Sequence, residues 1–587
     1  MKRLFSAHKN KFSFYGPNAD EVSLVVDGYG KSWPMKRNTR GDWVVKPDIT
    51  EHQLNNLSYH YQVREGRRVR KVADPMARRL ALVNGKYKSF FQLINFQHRY
   101  SNFHAPPIEK IVIYESHLPA LSRHPSAPVD KQIYRGTYFG ASSKYVLDHI
   151  QRMKVAMEFL PLHYSDKELG GDWGYYSVSY SAMRSDFAVD KENANKEVMK
   201  LIDTLHGRGV PVILDVVFNH GAELWLKAWG ESVVYRKLDG GSYCNGSGCG
   251  ATVKTENDHI RKIIIETLLS LVKEYRFDGF RFDLGALHDK KTMIEIDKRL
   301  PKRIYLIAEP WALGGNQWGK HDMSNEFAHT RWAIWNDDFR EPTRKFIQGD
   351  GDFANRDRVM KAIVGSHVKD GGWALRPQQS VNYISCHDGK TLADLVGGNK
   401  HRVFLGLFLL LTSQGIPMMG EGSEMLYTKH GHDNSYDRPD LNQLDWGLSA
   451  QHGDLVDAVA RLVVLRTQLN HFLYKGHLKV NGHKGGNWDI DWIYPTGYPH
   501  HDNVNAIAYI IRPPLRYQLW RRTRHSLLIL LNGSHSGVDF QLPDGEWKVL
   551  VDGLRLKVNP FGLSIAPNAK GHYHLQAGTC AMLAPAS

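Results

Sequence analysis

Val210-Pro-Val-Ile-Leu-Asp215-Val-Val-Phe-Asn-His220 and, further along, Asp278-Gly-Phe-Arg281-Phe-Asp283 decide the fold. Each is a short apolar run without helical spacing, and each ends in charged or polar side chains. A run apolar on both faces is the mark of a buried parallel strand. Between the two runs, Ile260, Ile264, Leu268 and Val272 recur at helical spacing. Before the first, Val198, Leu201, Ile202 and Leu205 do the same and stop at Gly207 and Gly209, a helix end. Working outward, apolar runs at 111–114 and 155–160 precede these, and runs at 304–308, 332–335, 381–385 and 416–420 follow. With 210–218 and 279–283 the strands alternate with helices throughout. This order predicts a parallel (β/α)8 TIM barrel.

The flanks have another texture. In residues 1–107, short alternating strands (21–26 and 43–46) lie among Gly28, Gly30 and Gly41, the pattern of an N-terminal β-sandwich. Ala105-Pro106-Pro107 reads as a linker, and the barrel is assigned to 108–473. Residues 474–587 return to strands and turns, with runs at 506–511, 526–531 and 547–551, and predict a C-terminal β-sandwich. The expected architecture is multidomain α/β.

Bulk properties exclude several classes. A chain of 587 residues exceeds one core, and its 42% apolar content argues against disorder. The net charge of +15 raises the question of nucleic acid. However, the basic residues are scattered, and their densest groups, Arg67 to Arg70 and Arg521 to Arg524, lie far from any motif. No nucleic-acid partner is expected. Cys244, Cys249, Cys386 and Cys580 show neither zinc-like spacing nor a disulfide framework. The first residues are polar and basic, and the longest apolar run, 403–411, is about half of a membrane span. A soluble, cytoplasmic protein without membrane attachment is expected.

The polar residues fall where a barrel keeps its active site, at the C-terminal ends of the strands. Asp215, Asn219 and His220 end one strand, Arg281 and Asp283 the next, Glu309 the one after, and His387 and Asp388 a later one. One such Asp is as readily a helix cap. A succession of strand ends carrying charge beside apolar runs is hard to explain that way. A retaining glycosidase needs a nucleophilic carboxylate and an acid about 5–5.5 Å apart. Adjacent strands, about 4.8 Å apart, can supply that pair as Asp283 and Glu309. Arg281 lies on the strand face of Asp283 and would pair with it. Asp388 would oppose a developing positive charge, and His220 and His387 suit sugar hydroxyls.

These residues carry a resemblance. Asp215-Val-Val-Phe-Asn-His220, Gly279-Phe-Arg-Phe-Asp283, Ala308-Glu309-Pro-Trp311 and Ser385-Cys-His387-Asp388 resemble, in order, the four strand-end motifs of the α-amylase family. The resemblance implies Asp283 as nucleophile, Glu309 as acid/base and Asp388 as transition-state stabiliser, with Arg281, His220 and His387 on the sugar. Tyr114-Glu115-Ser-His117, Asp172-Trp-Gly-Tyr175, Tyr243-Cys-Asn-Gly-Ser-Gly-Cys249, Ser413-Gln-Gly-Ile-Pro417 and Asn434-Ser-Tyr436, with Asp440 behind it, are similar to type I pullulanases. The N-terminal sandwich is similar to the glycogen-binding-like module of debranching enzymes. By this likeness Tyr175 stacks on the sugar beside the scissile bond, while Trp311 and Asp440 join the substrate-binding set. Ala308 and Pro310 around the acid depart from pullulanases toward isoamylases and glycogen-debranching enzymes.

The implied reaction is hydrolysis of α-1,6 branch linkages in pullulan, glycogen or limit dextrins. Its partner is an α-glucan, and no cofactor is required. Asn219 matches a position that holds calcium in some family members, but no acidic cluster accompanies it and no metal ligand is assigned. The alternatives are an α-1,4-acting amylase or glucosyl transferase on the same scaffold, and a non-catalytic glucan-binding protein. The intact trio of carboxylates speaks against the latter.

Overall fold

A computed structural model of the chain describes residues 10–39, 41–221, 223–469, 473, 478, 480, 489–493, 503–512, 526–557 and 564–586. Eight parallel strands close a barrel: β1 (Ile113–Ser116), β2 (Ala156–Phe159), β3 (Val212–Val216), β4 (Gly279–Phe282), β5 (Tyr305–Ala308), β6 (Ala333–Asn336), β7 (Ser380–Asn382) and β8 (Ile416–Gly420). Each pairs with the next, and β8 returns to β1 through Ile113 and Met418. All strand residues are buried, which explains runs that are mainly apolar on both faces.

Alternation divides each strand between two cores. Ile113, Ala156, Ile213, Ile307, Val381 and Met418 fill the barrel interior in one cluster. Val212, Leu214, Phe280, Phe282 and Leu306 face outward into the larger core shared with the helices. A glycine opens β4 because a Cβ there would lie 2.7 Å from Tyr305 Cβ. The two expected helices are present as Ala194–Gly207 and Asp258–Ser270. The Asn257 side chain caps the second by accepting from the N–H groups of His259 and Ile260. The sequence pattern runs on to Val272 because a wider turn, Leu271–Tyr275, extends this helix.

The N-terminal strands form a three-stranded and a six-stranded sheet, with Phe12, Phe14, Trp43, Tyr59 and Tyr61 in the core. They are tied to the barrel helices by Arg78 on Glu274 (2.7 Å) and by Asn195 Nδ2 on Gln92 Oε1 (2.6 Å). The segment after them is pinned under the barrel, where the Tyr305 hydroxyl donates to the Pro106 carbonyl. The C-terminal strands form the antiparallel β domain expected after the barrel. Within the described residues they form one continuous seven-stranded sheet. Its long strand Val538–Asp552 is bulged and pairs with Ala569–Leu575 in one half and Thr579–Pro585 in the other. The sheet thus folds over a core that includes Ala508, Leu530, Phe540, Trp547 and Leu583. The Arg521–Arg524 group and the expected boundary at 473/474 involve residues outside the described set. Among the described residues, no helix is long and apolar enough to cross a membrane.

One buried side chain holds the approach to β8. Arg466, on helix Gly453–Gln468, donates to the carbonyls of Leu411 (2.6 Å), Ser413 (3.0 Å) and Gly415 (2.6 Å). These lie at the end of helix Lys400–Thr412 and on the turn into the strand. Arg466→Met removes the donors and leaves buried acceptors unpaired. The expected cost is about 3 kcal/mol or more, measured by denaturant unfolding. A variant within about 0.5 kcal/mol of wild type would contradict this role.

Candidate active site

The interior apolar layers end upward in charge. Glu115, Glu158, Asp215 and Arg281 continue the inward positions of β1 to β4, and Asp283 and Glu309 follow just beyond β4 and β5. The Arg281 side chain is fully buried, and its guanidinium lies over the Trp335 ring at 4.1 Å. Nη1 donates to Asp215 Oδ2 at 2.6 Å and to Asp283 Oδ1 at 3.3 Å, and Nη2 donates to Glu309 Oε1. One guanidinium therefore holds Asp283 and Glu309 side by side.

Each carboxyl has a further distinct partner. Asp283 Oδ2 accepts from Asn219 Nδ2 at 2.8 Å, and Asp215 Oδ2 accepts from the Tyr175 hydroxyl at 2.6 Å. Glu309 Oε2 accepts the Leu284 N–H at 2.7 Å. Leu284 adopts φ 40°, a left-handed conformation costly for a branched side chain, and this aims its N–H at the acid. Burial raises Glu309 to about 8; Arg281 opposes that rise and Asp283 adds to it. Burial likewise lifts Asp215 to about 6, against the pull of Arg281.

On the other side, His387 donates its backbone N–H to Glu115 Oε2 and shares Nδ1 with Oε1, both at 2.6 Å. This fixes the ring so that Nε2 points toward Asp388, 3.6 Å away. Burial alone would lower the imidazole, but Asp388 and Glu115 outweigh it and hold it at about 9. Tyr175 stacks on His387 (4.9 Å, 17°), and Trp173 meets the same ring edge-on at 5.0 Å. The Asp172–Tyr175 loop is clamped by Arg123 on Asp172 and by the Tyr436 carbonyl, which accepts the Asp172 N–H at 2.6 Å.

The structure thus brings Asp283, Glu309, Arg281, Tyr175 and His387 together with Asp388, whose carboxyl is 64% exposed at the rim. His220 is buried, with Nδ1 against Asn219 Oδ1. Trp311 is half-buried against the interior cluster, 5.8 Å from the Arg340 guanidinium. Asp440 is not joined to this group; it is ion-paired with Arg438 (2.6 Å) on the surface. Asn219 does not fit a calcium site. Its amide nitrogen is bound to Asp283, its oxygen faces His220, and no set of carboxylates surrounds it among the described residues. All four cysteines are free.

Sequence reasoning missed Glu115, Glu158, Asn219 as a partner of Asp283, Trp335 and Lys429. Glu115 and Glu158 were within reach, because a carboxylate at an apolar strand end is the same signal on β1 and β2 as on β3. Lys429 was not, since its position depends on the loop after β8. Its ammonium donates to the His387 carbonyl at 3.3 Å and lies 5.1 Å from the Trp173 ring.

No protein-family model matches the chain. A glycogen debranching enzyme of Yersinia enterocolitica is 28% identical over 519 residues, covering 76% of this chain and 74% of the relative. A glycogen operon protein GlgX homolog of Mycobacterium tuberculosis is 27% identical, with 82% and 72% covered. Among solved structures, a Paenibacillus barengoltzii pullulanase in complex with maltohexaose and α-cyclodextrin is 26% identical at TM-score 0.82, covering 99% and 94%. A Bacillus acidopullulyticus pullulanase has TM-score 0.84 at 23% identity, with 98% and 74% covered, a likeness of fold. The barrel and these relatives agree with the resemblance to the α-amylase family. The relatives bear out the narrower resemblance, to the debranching enzymes of that family.

Glu158 offers a test of the site's charge balance. Both carboxyl oxygens are buried without a hydrogen-bond partner among the described residues, and burial, Glu115 and Asp215 push its pKa well above the ordinary range. A carboxyl so raised costs no stability while the unfolded chain is also protonated. It costs progressively more as pH rises toward the folded value. Glu158→Gln, which resembles the neutral acid in shape, is expected to melt higher than wild type at pH 8 by about 1–2 °C. That advantage should vanish near pH 4. A variant less stable than wild type at both pH values would show that the carboxyl is needed charged.

Proposed function

We propose that this protein is a retaining debranching enzyme that hydrolyses α-1,6-glucosidic linkages in glycogen, limit dextrins or pullulan. The observation that carries the reading is the single buried guanidinium holding Asp283 beside Glu309, with Glu309 raised to about 8. One carboxylate and one neutral acid in contact with the same group are what a double displacement needs.

In the first step an Asp283 oxygen attacks the anomeric carbon while Glu309 gives its proton to the departing glycosidic oxygen. The bond electrons leave with that oxygen, and a covalent glycosyl–Asp283 ester forms. In the second step Glu309, now a carboxylate, takes a proton from water. The water oxygen displaces Asp283, so the anomeric configuration is retained. Asp388 supports the positive charge that develops at the ring. Tyr175 and His387 offer a stacked wall for the sugar on the donor side. Trp311, just beyond the acid, offers a face on the leaving side. No organic cofactor is required. The free cysteines support a cytoplasmic location.

The linkage assignment is tested by chromatography of initial products. Pullulan is expected to give maltotriose, glycogen limit dextrin to give short linear chains, and amylose to be cut slowly. Panose from pullulan, or rapid loss of amylose viscosity, would instead mark an α-1,4-acting enzyme. Branch release from glycogen with pullulan intact would favour the isoamylase-like reading that Ala308 and Pro310 support.

Asp283→Asn is expected to lower kcat by at least about 1,000-fold with the fold unchanged. Glu309→Gln should lose far more activity on glucan than on an aryl glucoside with a good leaving group, which needs no proton. Equal losses on both substrates would remove Glu309 from the acid role.

A further inference from the structure

His387 borders a small cavity of about 20 Å³, room for about one water molecule. Glu115, Cys386 and His387 all line it, together with Glu421, Ser423 and Lys429. The first three converge: a carboxylate oxygen, the thiol sulfur and an imidazole nitrogen lie within 4.8 Å of one another. All three side chains are shielded from solvent, at 2% for Glu115, 8% for Cys386 and 7% for the His387 side chain. It is the one such group of potential metal ligands among the described residues.

We propose that Glu115, Cys386 and His387 form a binding site for zinc or a similarly soft divalent cation, and that occupancy blocks the glucan site. Sulfur, imidazole nitrogen and carboxylate oxygen are the ligand types that zinc takes, at about 2.0–2.3 Å in tetrahedral geometry. That geometry sets ligand atoms roughly 3.3–3.8 Å apart. Here Nδ1 and Glu115 Oε1 are 2.6 Å apart and must open, while the sulfur must draw in. The 2.6 Å pair opens by about 0.7 Å and the sulfur, within 4.8 Å of both, closes by no more than about 1.5 Å, movements that side-chain rotation supplies. The cavity leaves space for water as the fourth ligand. Calcium and magnesium, which prefer sets of oxygens, do not fit this donor set.

Binding costs the native contacts that the metal replaces. The Cys386 thiol now donates to the Asp388 carbonyl at 3.4 Å, and Nδ1 shares a proton with Glu115. Coordination sends both protons to solvent. The Lys429 ammonium lines the same cavity and opposes a cation, while Glu421 and Glu115 offset it. The consequence for turnover follows from the ring. His387 would be held by the metal instead of by Glu115, out of register with Asp388 and with the stacked Tyr175. The site itself stands on ligand geometry, and only the effect on turnover rests on the glucan-hydrolase reading.

The test uses the full chain, metal-free and reduced. Equilibrium dialysis with Zn²⁺ at micromolar concentration is expected to give one bound equivalent. Co²⁺ should show the thiolate-to-metal charge-transfer band of a cysteine ligand. Cys386→Ser, nearly isosteric, should lose both signals and keep basal turnover, with Cys386→Ala as a second variant. Cys249→Ser, which removes the exposed thiol, should keep both signals. In the pullulan assay, saturating Zn²⁺ should lower wild-type turnover at least tenfold and Mg²⁺ should not, and the Cys386 variants should resist Zn²⁺. Undiminished binding in the Cys386 variants, or no cobalt–thiolate band in wild type, would overturn the site. Stoichiometric binding with turnover intact would overturn the blocking role alone.

Discussion

The site depends on one charge, the Arg281 guanidinium, fully buried at the top of the barrel interior. A cation taken out of water is costly unless anions meet it with good geometry. Asp215, Asp283 and Glu309 do so from three neighbouring strands, and Trp335 covers the guanidinium face. The relation is reciprocal: three acids so close would repel one another without the cation. With it, the group tolerates a split in which Glu309 keeps its proton up to about pH 8. That split separates the proposed acid from the proposed nucleophile.

Barrel geometry makes the arrangement available. Inward positions alternate along each strand, so the positions filled by Ile213 and Ile307 in the lower layers carry Asp215 and Glu309 higher up. Apolar packing below sets the spacing of the strands, and the strands set the spacing of the charges. His387 is held in parallel fashion by Glu115 from β1, with Lys429 on its carbonyl and Trp173 and Tyr175 against its ring. The loop that bears those two aromatics is itself clamped by Arg123 and the Tyr436 carbonyl. Much of what surrounds these carboxyls therefore aims them.

All eight barrel strands were legible from mainly apolar runs, because a strand buried on both faces admits polar residues only where partners satisfy them, as Asn336, Ser380 and Asn382 satisfy one another. Asp215, Arg281, Asp283, Glu309 and His387 stood out for the same reason. What stayed hidden depends on the path of loops. The N–H that Leu284 offers to Glu309 is a backbone group whose direction follows from a left-handed φ, invisible in the residue type. Lys429 and the Tyr436 carbonyl reach the site through the loop after β8, whose course no periodicity records. Asp440 was expected at the substrate from the likeness of its segment to type I pullulanases, and in the fold it pairs with Arg438 on the surface. At the C-terminal end, strand runs gave the sheet texture, but not the irregularities of register that let the long strand Val538–Asp552 pair with two partners.

The claim that Arg281 and burial together set the charge on Glu309 is measured most directly by carbon-13 NMR of glutamate carboxyls, with Glu309 assigned from the Glu309→Gln spectrum. The Glu309 carboxyl is expected to titrate at about 8 in wild type and at higher pH in Arg281→Met, where the opposing cation is gone. A Glu309 carboxyl that titrates in the ordinary glutamate range, or one that does not move upward when Arg281 is removed, would contradict it.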